Sequence, residues 1–252
     1  MKFMNNTCYR CMKFCGLSLA LVPLFFLTAC KTKAAKDSGY LGATSGQMSE
    51  QRGRFPFQRV WVKPGVNKDD YSSIMISPVN TTYLMEATGW KAANPGNLRL
   101  NKEVEDMAKY TREEFTKAFA EDKNHRFVVT GNPGPRTAVL DLAIVELIPS
   151  KAVLSAVSMV APPEVAIPAS VAAGKSSVAI EGRLRDSVTG ETLMLFADRE
   201  EPAHRIIDVK SVTWWSQARD SIDLWAKQLV KLANTPPNEK VKDEPFFRLR
   251  PW

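Results

Sequence analysis

The clearest folding signal in the chain is an alternation of side chains over residues 176–185. The positions expected on one side of a strand are apolar or glycine: Val178, Ile180, Gly182 and Leu184. The positions expected on the other side are charged: Glu181, Arg183 and Arg185. This period of two is typical of a half-buried β-strand. The stretch therefore requires a sheet with one face packed against a second layer.

Four other stretches have the composition of strands. They are residues 71–79, 126–130, 137–147 and 192–198. β-Branched and aromatic side chains favour this assignment, and turn-forming residues separate the stretches at 131–135 and 186–191. Regular alternation within 137–147 predicts that Leu147 shares a face with Asp141. The same alternation places Glu146 on the opposite face.

Two stretches have the periodicity of amphipathic helices. In residues 101–121 the core-facing positions recur at steps of three and four: Val104, Ala108, Thr111, Phe115 and Ala118. A second stripe has the same spacing: Trp215, Ala218, Ile222, Trp225, Leu229 and Leu232. Both stripes predict helices that bury one face in a core. The pair Pro236–Pro237 is expected to end the second helix.

These elements predict an α+β fold in the order βαβββα. It is a two-layer sandwich in which an antiparallel or mixed sheet of about five strands carries both helices on one face. Residues 69–234 are long enough for one domain of ordinary size. Its core must stabilise it without disulfides, because all the cysteines precede it: Cys8, Cys11, Cys15 and Cys30.

The N-terminus has the pattern of a bacterial lipoprotein signal. Basic residues open the chain, an apolar run covers residues 16–26, and Leu27-Thr28-Ala29-Cys30 follows. A basic start, an apolar core and small residues before the cut are typical of secretory signals. The cysteine after the cut resembles the lipobox, in which that cysteine is acylated. The sequence thus predicts a signal peptide, residues 1–29, and lipidation at Cys30, with an uncleaved or plainly secreted form as the alternative.

The segments on either side of the domain are predicted to be irregular. Residues 30–68 are expected to form a lipidated tether and an arm, and residues 235–252 a C-terminal tail that is either disordered or a docking segment. Lys31 follows the lipidation site, where an aspartate favours inner-membrane retention in the sorting system of enteric bacteria. We therefore expect a lipid anchor in the outer membrane, with the domain on the periplasmic face.

Composition and motifs do not indicate an enzyme, a cofactor, a metal site or a nucleic-acid site. Removal of residues 1–29 lowers the formal charge from +7 to +4, and nucleic-acid binding would need a basic stripe with interleaved aromatics. Cys8 and Cys11 lie in the predicted signal peptide without a second pair of ligands. His125 and His204 lie outside any catalytic or metal-ligand motif. We expect a non-enzymatic protein.

Residues 150–175 form an unusual apolar connection between two predicted strands. Only Glu164 is charged between Lys151 and Lys175, and Pro162–Pro163 divides the stretch. Its candidate interaction residues are apolar: Val153, Leu154, Val157, Met159, Val160, Val165 and Ile167. The double proline excludes one continuous spanning helix. Two interpretations stay open: the loop folds onto the open sheet face, or it contacts a partner, a second copy or lipid.

Several short motifs follow one another between Gly39 and Leu232. They are Gly39-Tyr40-Leu41, Val62-Lys63-Pro64-Gly65, Ile76-Ser77-Pro78-Val79, Pro133-Gly134-Pro135, Asp186 with Thr189-Gly190-Glu191, and Trp215 with Trp225-Ala226. Together with the lipobox, their order resembles the bacterial lipoproteins grouped as domain of unknown function 3313. The resemblance implies an envelope lipoprotein with a small α+β domain, and it implies no particular activity.

We therefore expect an envelope lipoprotein that binds another envelope component. The expected partner is an envelope protein or a second copy of the chain, in addition to the membrane reached through the lipid. The alternative is a self-assembling or membrane-inserting lipoprotein that uses the loop 150–175.

Overall fold

A seven-stranded mixed sheet runs through the described part of the chain. The computed structural model describes residues 34, 36–51, 54–87, 98–148, 177–201, 215–236 and 239–241, all within the unit Thr32–Trp252. The strands are β1 (Ser49–Glu50), β2 (Arg59–Val62), β3 (Ser73–Ile76), β4 (Val128–Val129), β5 (Thr137–Ile148), β6 (Ser177–Asp186) and β7 (Thr192–Glu200). Their order across the sheet is β1-β2-β7-β6-β5-β3-β4. Across the sheet, the pairs β1–β2, β2–β7, β7–β6 and β6–β5 are antiparallel. β3 lies between β5 and β4 and is parallel to both.

Two long helices cover one face of this sheet. The α-helices are α1 (Thr82–Ala87), α2 (Leu98–Ala120) and α3 (Ser216–Asn234), and 3-10 helices lie at Gly42–Gln47 and Lys68–Asp70. α2 and α3 pack against each other. Their predicted apolar stripes and the facing strands form the main core, whose largest fully buried side chains include Trp225, Phe57, Phe115 and Phe196.

The predicted α+β class is confirmed, and the sheet is larger than expected. The five predicted strands coincide with β3 to β7, and the two predicted helices with α2 and α3. β1, β2 and α1 were not predicted. β2 lies in residues 30–68, which we expected to be irregular. The strand is only four residues long, so its sequence pattern is too short to identify it. Its pairing with β7, which places Val60 opposite Phe196, specifies the strand.

A bulge in β5 makes the predicted facing of its last residues wrong. The pairing with β6 shifts between Ile144 and Glu146, which inserts one residue into the strand and reverses the alternation beyond it. Leu147 therefore packs in the main core, away from the face of Asp141. Glu146 instead shares that face, and its Oε1 lies 2.8 Å from Arg199 Nε.

The other face of the sheet is covered in part by the N-terminal arm, residues 36–51. Tyr40 of the arm and Tyr83 of α1 meet edge to face, with ring centroids 5.6 Å apart. Both rings pack on a small apolar cluster formed by Ala143, Val145 and Ala179. Glu181, on the charged side of the predicted alternation, is fully buried on this face. The arm is therefore an integral part of the fold.

Candidate functional site

A cavity of about 270 Å³ lies between the sheet and the C-terminal ends of α2 and α3. Phe119 lines it from the last turn of α2, and Leu229 and Leu232 line it from the last turns of α3. On the sheet side, Leu184 lies near the end of β6 and Met194 near the start of β7. Both helices end here, and the apolar space between their last turns and the strand ends opens to solvent.

The rim of the cavity is held by Lys68. Its Nζ donates hydrogen bonds to the carbonyl oxygens of Ala233, at 2.9 Å, and Thr235, at 2.8 Å. These carbonyls belong to the C-terminal end of α3, where a cation also complements the helix dipole. Burial, and then the nearby charge of Arg126, lower the pKa of Lys68. The Lys68 amine thus caps the C-terminal end of α3.

A second rim contact explains one of the sequence motifs. The Tyr71 hydroxyl donates to Asp186 Oδ2 at 3.1 Å, and burial together with this bond raises the pKa of Tyr71 to about 12. Asp186 Oδ1 accepts the backbone N–H groups of Val188 and Thr189 at 2.8 and 2.7 Å. Gly190 has a φ of 73°, which glycine adopts without strain. The motif from Asp186 to Gly190 therefore builds a hairpin loop.

A polar cluster on the opposite face of the sheet is a second candidate site. Asp141 accepts hydrogen bonds from Ser77 Oγ at 2.7 Å, Arg183 Nη2 at 3.1 Å and Arg185 Nε at 2.8 Å. Burial by itself raises the pKa of Asp141, but the bonds from Arg185, Ser77 and Arg183 lower it overall. The Asp141 carboxylate is therefore held ionised between two arginines, and its role here is to stabilise the fold.

The neighbouring carboxylate of Glu181 fastens the arm to the sheet. Its two oxygens accept the Ser38 backbone N–H at 3.2 Å and the Ser38 hydroxyl at 2.8 Å. Arg59 Nη2 approaches at 3.9 Å. Burial raises the pKa of Glu181 and outweighs the bonds from Ser38. The cluster thus positions the arm. The charged groups of the cluster face one another.

The sequence-predicted site residues lie outside the described part of the chain. This applies to the lipidation site Cys30 and to the loop residues Val153, Leu154, Val157, Met159, Val160, Val165 and Ile167. The loop leaves β5 after Ile148 and returns at Ser177, and these two residues pair with each other. His204 also lies outside the described residues, whereas His125 is exposed in a turn with a φ of 47°.

Among the described residues, no group of three or more His, Cys, Asp or Glu side chains is arranged to hold a metal ion. No helix among those residues combines the length and apolarity needed to cross a bilayer.

Sequence reasoning missed the cavity because its walls come from segments far apart in the chain. Val62 and Val66 line it from the segment expected to be irregular. Leu229 was correctly assigned to a core-facing stripe, but a stripe does not reveal where its covering layer ends. The position of the helix ends relative to the strands would have been the only signal, and it depends on tertiary packing.

The fold and the cavity define a two-layer α+β domain with an apolar space at one end. The chain belongs to the family described as "Protein of unknown function (DUF3313)", whose model matches residues 36–229. This confirms the resemblance drawn from the motifs. The family description leaves the molecular role open. No curated protein sequence is significantly similar to this chain.

Several solved structures show weak similarity to the chain. The PelC dodecamer from Paraburkholderia phytofirmans is 9% identical with a TM-score of 0.37, covering 68% of this chain and 94% of that one. The hypothetical protein CT253 from Chlamydia trachomatis is 12% identical with a TM-score of 0.33, covering 65% and 93%. Lipoprotein GNA1162 from Neisseria meningitidis is 16% identical with a TM-score of 0.23, covering 65% and 99%. Similarity this weak assigns no function.

Proposed function

We propose that this chain is a non-enzymatic lipoprotein of the outer membrane, anchored through Cys30, whose domain on the periplasmic face binds another envelope component. The cavity between the sheet and the ends of α2 and α3 carries the proposal, because it is an apolar space open to solvent. Apolar concavities with a polar rim are the usual form of binding sites.

The size of the cavity limits what it can hold. Its 270 Å³ falls just below the range of about 300–1,000 Å³ typical of small-molecule pockets. One aromatic side chain or a short acyl segment fits this space better than a whole lipid. Burying an aromatic side chain removes about 150–250 Å² from water, which contributes about 4–6 kcal/mol before the costs of association. The cavity thus suits one apolar anchor of a larger partner.

The groups at the rim support a binding role over a catalytic one. Lys68 is engaged with two helix carbonyls, and Tyr71 with Asp186. A general acid or base must be free to exchange a proton with a substrate. These groups instead fix the shape of the cavity mouth.

The predicted anchor keeps the domain close to the membrane. Ser38, which is hydrogen-bonded to Glu181, lies eight residues after Cys30. Eight extended residues span at most about 29 Å. An anchored domain can therefore reach only components at or near the bilayer surface, which favours an envelope partner.

The anchor is tested by changing Cys30→Ala and following the protein through cell fractionation. We expect an uncleaved, larger precursor that loses its normal membrane location. Cys15→Ala, which changes a cysteine within the predicted signal peptide, is the matched control and should mature normally. Unchanged maturation and membrane attachment of the Cys30 variant would contradict the anchor.

The binding role is tested with a photoreactive residue placed at Val66, which lines the cavity. Its matched control is Lys102, whose side chain is 72% exposed and which lies about 25 Å from Phe119 along α2. After illumination of intact cells, we expect an adduct with an envelope component from position 66 and none from position 102. Identical adducts from both positions, or none from either, would contradict the proposed binding role.

The alternative function is self-assembly or membrane insertion through the loop 150–175. One observation favours it: the loop is almost uncharged and starts and ends at paired residues of β5 and β6, so both of its ends leave the sheet together. The test compares the sedimentation of the protein with that of a variant in which a short Gly/Ser linker replaces the loop. Concentration-dependent size that disappears with the loop would support assembly, whereas a strict monomer with a protease-protected loop would contradict it.

A further inference from the structure

The chain beyond α3 passes the mouth of the cavity. Pro236 and Glu239 line the cavity, as do Arg54 and Phe55 from the segment before β2. The Val241 backbone N–H donates to the carbonyl oxygen of Arg54 at 3.0 Å, and the Val241 side chain is buried. Residues 239–241 are therefore held at the rim.

Eleven residues follow this fixed point, and we call residues 242–252 the aromatic segment. Its apolar side chains are Phe246, Phe247, Leu249 and Trp252. Phe247 lies six residues beyond Val241, and six extended residues span at most about 21 Å. The segment therefore starts at the cavity mouth and carries aromatic side chains within easy reach of it.

We infer that the aromatic segment binds in the cavity between the sheet and the ends of α2 and α3, with Phe246 or Phe247 as the anchor. The cavity walls are apolar, and its size suits one aromatic side chain. The segment is held beside it by the bond between Val241 and Arg54. The chain thus supplies its own occupant.

Tethering makes even weak docking effective. A short flexible linker gives an effective concentration of about 1 mM. If the isolated segment bound with a Kd of about 0.1 mM, about nine-tenths of the cavities would be filled, and the apparent Kd of an outside partner would rise about tenfold. This regulatory role rests on the proposed function, whereas docking itself does not.

Docking is tested by disulfide formation between Val66→Cys and Leu249→Cys in the full chain, which leaves both candidate anchors in place. The domain offers no other thiol, because the remaining cysteines lie at or before Cys30, and the cell envelope permits disulfides. The control pair is Lys102→Cys with Leu249→Cys. We expect the first pair to crosslink at least tenfold faster, and Phe246→Ala together with Phe247→Ala to increase protease cleavage of the segment. Equal rates for the two pairs would overturn the inference, as would slow crosslinking of a folded protein that carries Val66→Cys and Leu249→Cys.

Regulation is tested by truncating the chain after Val241 in the protein with the photoreactive residue at position 66. An adduct with an envelope component that increases several-fold on truncation supports competition by the segment. An adduct of unchanged yield overturns competition and leaves the proposed function standing. No adduct with or without the segment contradicts the proposed function, while the disulfide result still decides whether the segment docks.

Discussion

At the scale of single residues, one buried carboxylate connects three parts of the fold. Asp198 of β7 accepts the indole Nε1–H of Trp225 at 2.7 Å and the backbone N–H of Gln58 at 3.3 Å. Asp198 and Trp225 are both buried. This contact explains why a tryptophan stands in the core-facing stripe of α3, where any large apolar residue would satisfy the pattern.

Trp225→Phe should lower the free energy of unfolding by about 2–4 kcal/mol, because the buried Asp198 loses the hydrogen bond from the indole and the core loses volume. Chemical denaturation of the mature protein measures the change. Lys227→Ala, an exposed position on the same helix, is the control and should stay within about 0.5 kcal/mol of the native protein. A loss below about 1 kcal/mol for Trp225→Phe would show that the bond contributes little.

Gly182 is required by a ring that packs on it. A Cβ added to Gly182 would lie 2.1 Å from the Phe196 ring, and this ring stacks on Phe57 with centroids 4.4 Å apart. Gly182→Ala should cost about 3 kcal/mol of folding free energy through overpacking. Gly131→Ala, where the added Cβ meets nothing within 4 Å, is the control in the same denaturation experiment. Equal stability of the two variants would contradict the packing.

At the scale of elements, the arm is part of the sheet structure. Its Tyr40 packs on the face opposite to α2 and α3, and Ser38 donates hydrogen bonds to the buried carboxylate of Glu181. Another contact within the arm, between Ser45 and Asp37, holds its own turn. The arm is therefore attached to the sheet at Ser38, eight residues after Cys30.

Glu181→Gln should change how stability depends on pH. Burial raises the pKa of Glu181 above its ordinary value of 4.5, so the native state binds a proton at a higher pH than the unfolded state. Stability contributed by this group increases as the pH falls through the raised pKa and is lost as the pH rises. We therefore expect the native protein to gain stability relative to Glu181→Gln as the pH falls from neutral to 4.5. A difference that does not change with pH would contradict the assignment.

At the scale of the whole molecule, ionised carboxylates connect distant segments. Asp122 accepts Asn234 Nδ2 at 3.0 Å, joining the ends of α2 and α3. Asp141 joins β5 to the end of β6. Asp186 joins the hairpin to Tyr71. The pKa of each is lowered: burial opposes the change at Asp122 and Asp141, where hydrogen bonds outweigh it, and the Thr189 backbone bond dominates at Asp186.

These lowered pKa values predict a loss of stability in acid. Each group contributes stability above its ordinary pKa, near 3.8, that is lost as the pH falls through its lowered native value. Asp141→Asn should therefore be less stable than the native protein at neutral pH, and the difference should shrink as the pH falls below 3.8. Thermal unfolding across this pH range measures it. A difference that stays constant into acid would contradict the role of Asp141.

The sequence by itself determined the elements whose patterns are local. The alternation around Ile180 and the stripe from Trp215 to Leu232 predicted β6 and α3, because burial of one face imposes a period of two on a strand and 3.6 on a helix. The family followed from short motifs, and Asp186 with Gly190 illustrates what one such motif does in this chain: the loop uses both a carboxylate acceptor and a positive φ.

Only the tertiary structure decided what depends on contacts between distant segments. β2 is a strand because β7 pairs with it, and the bulge at Glu146 is defined only by its partner strand. The cavity is formed where the last turns of α2 and α3 meet the strand ends and the segments around Phe55 and Lys68. Local periodicity records which face of an element is buried. It does not record which element buries it, or where that cover stops.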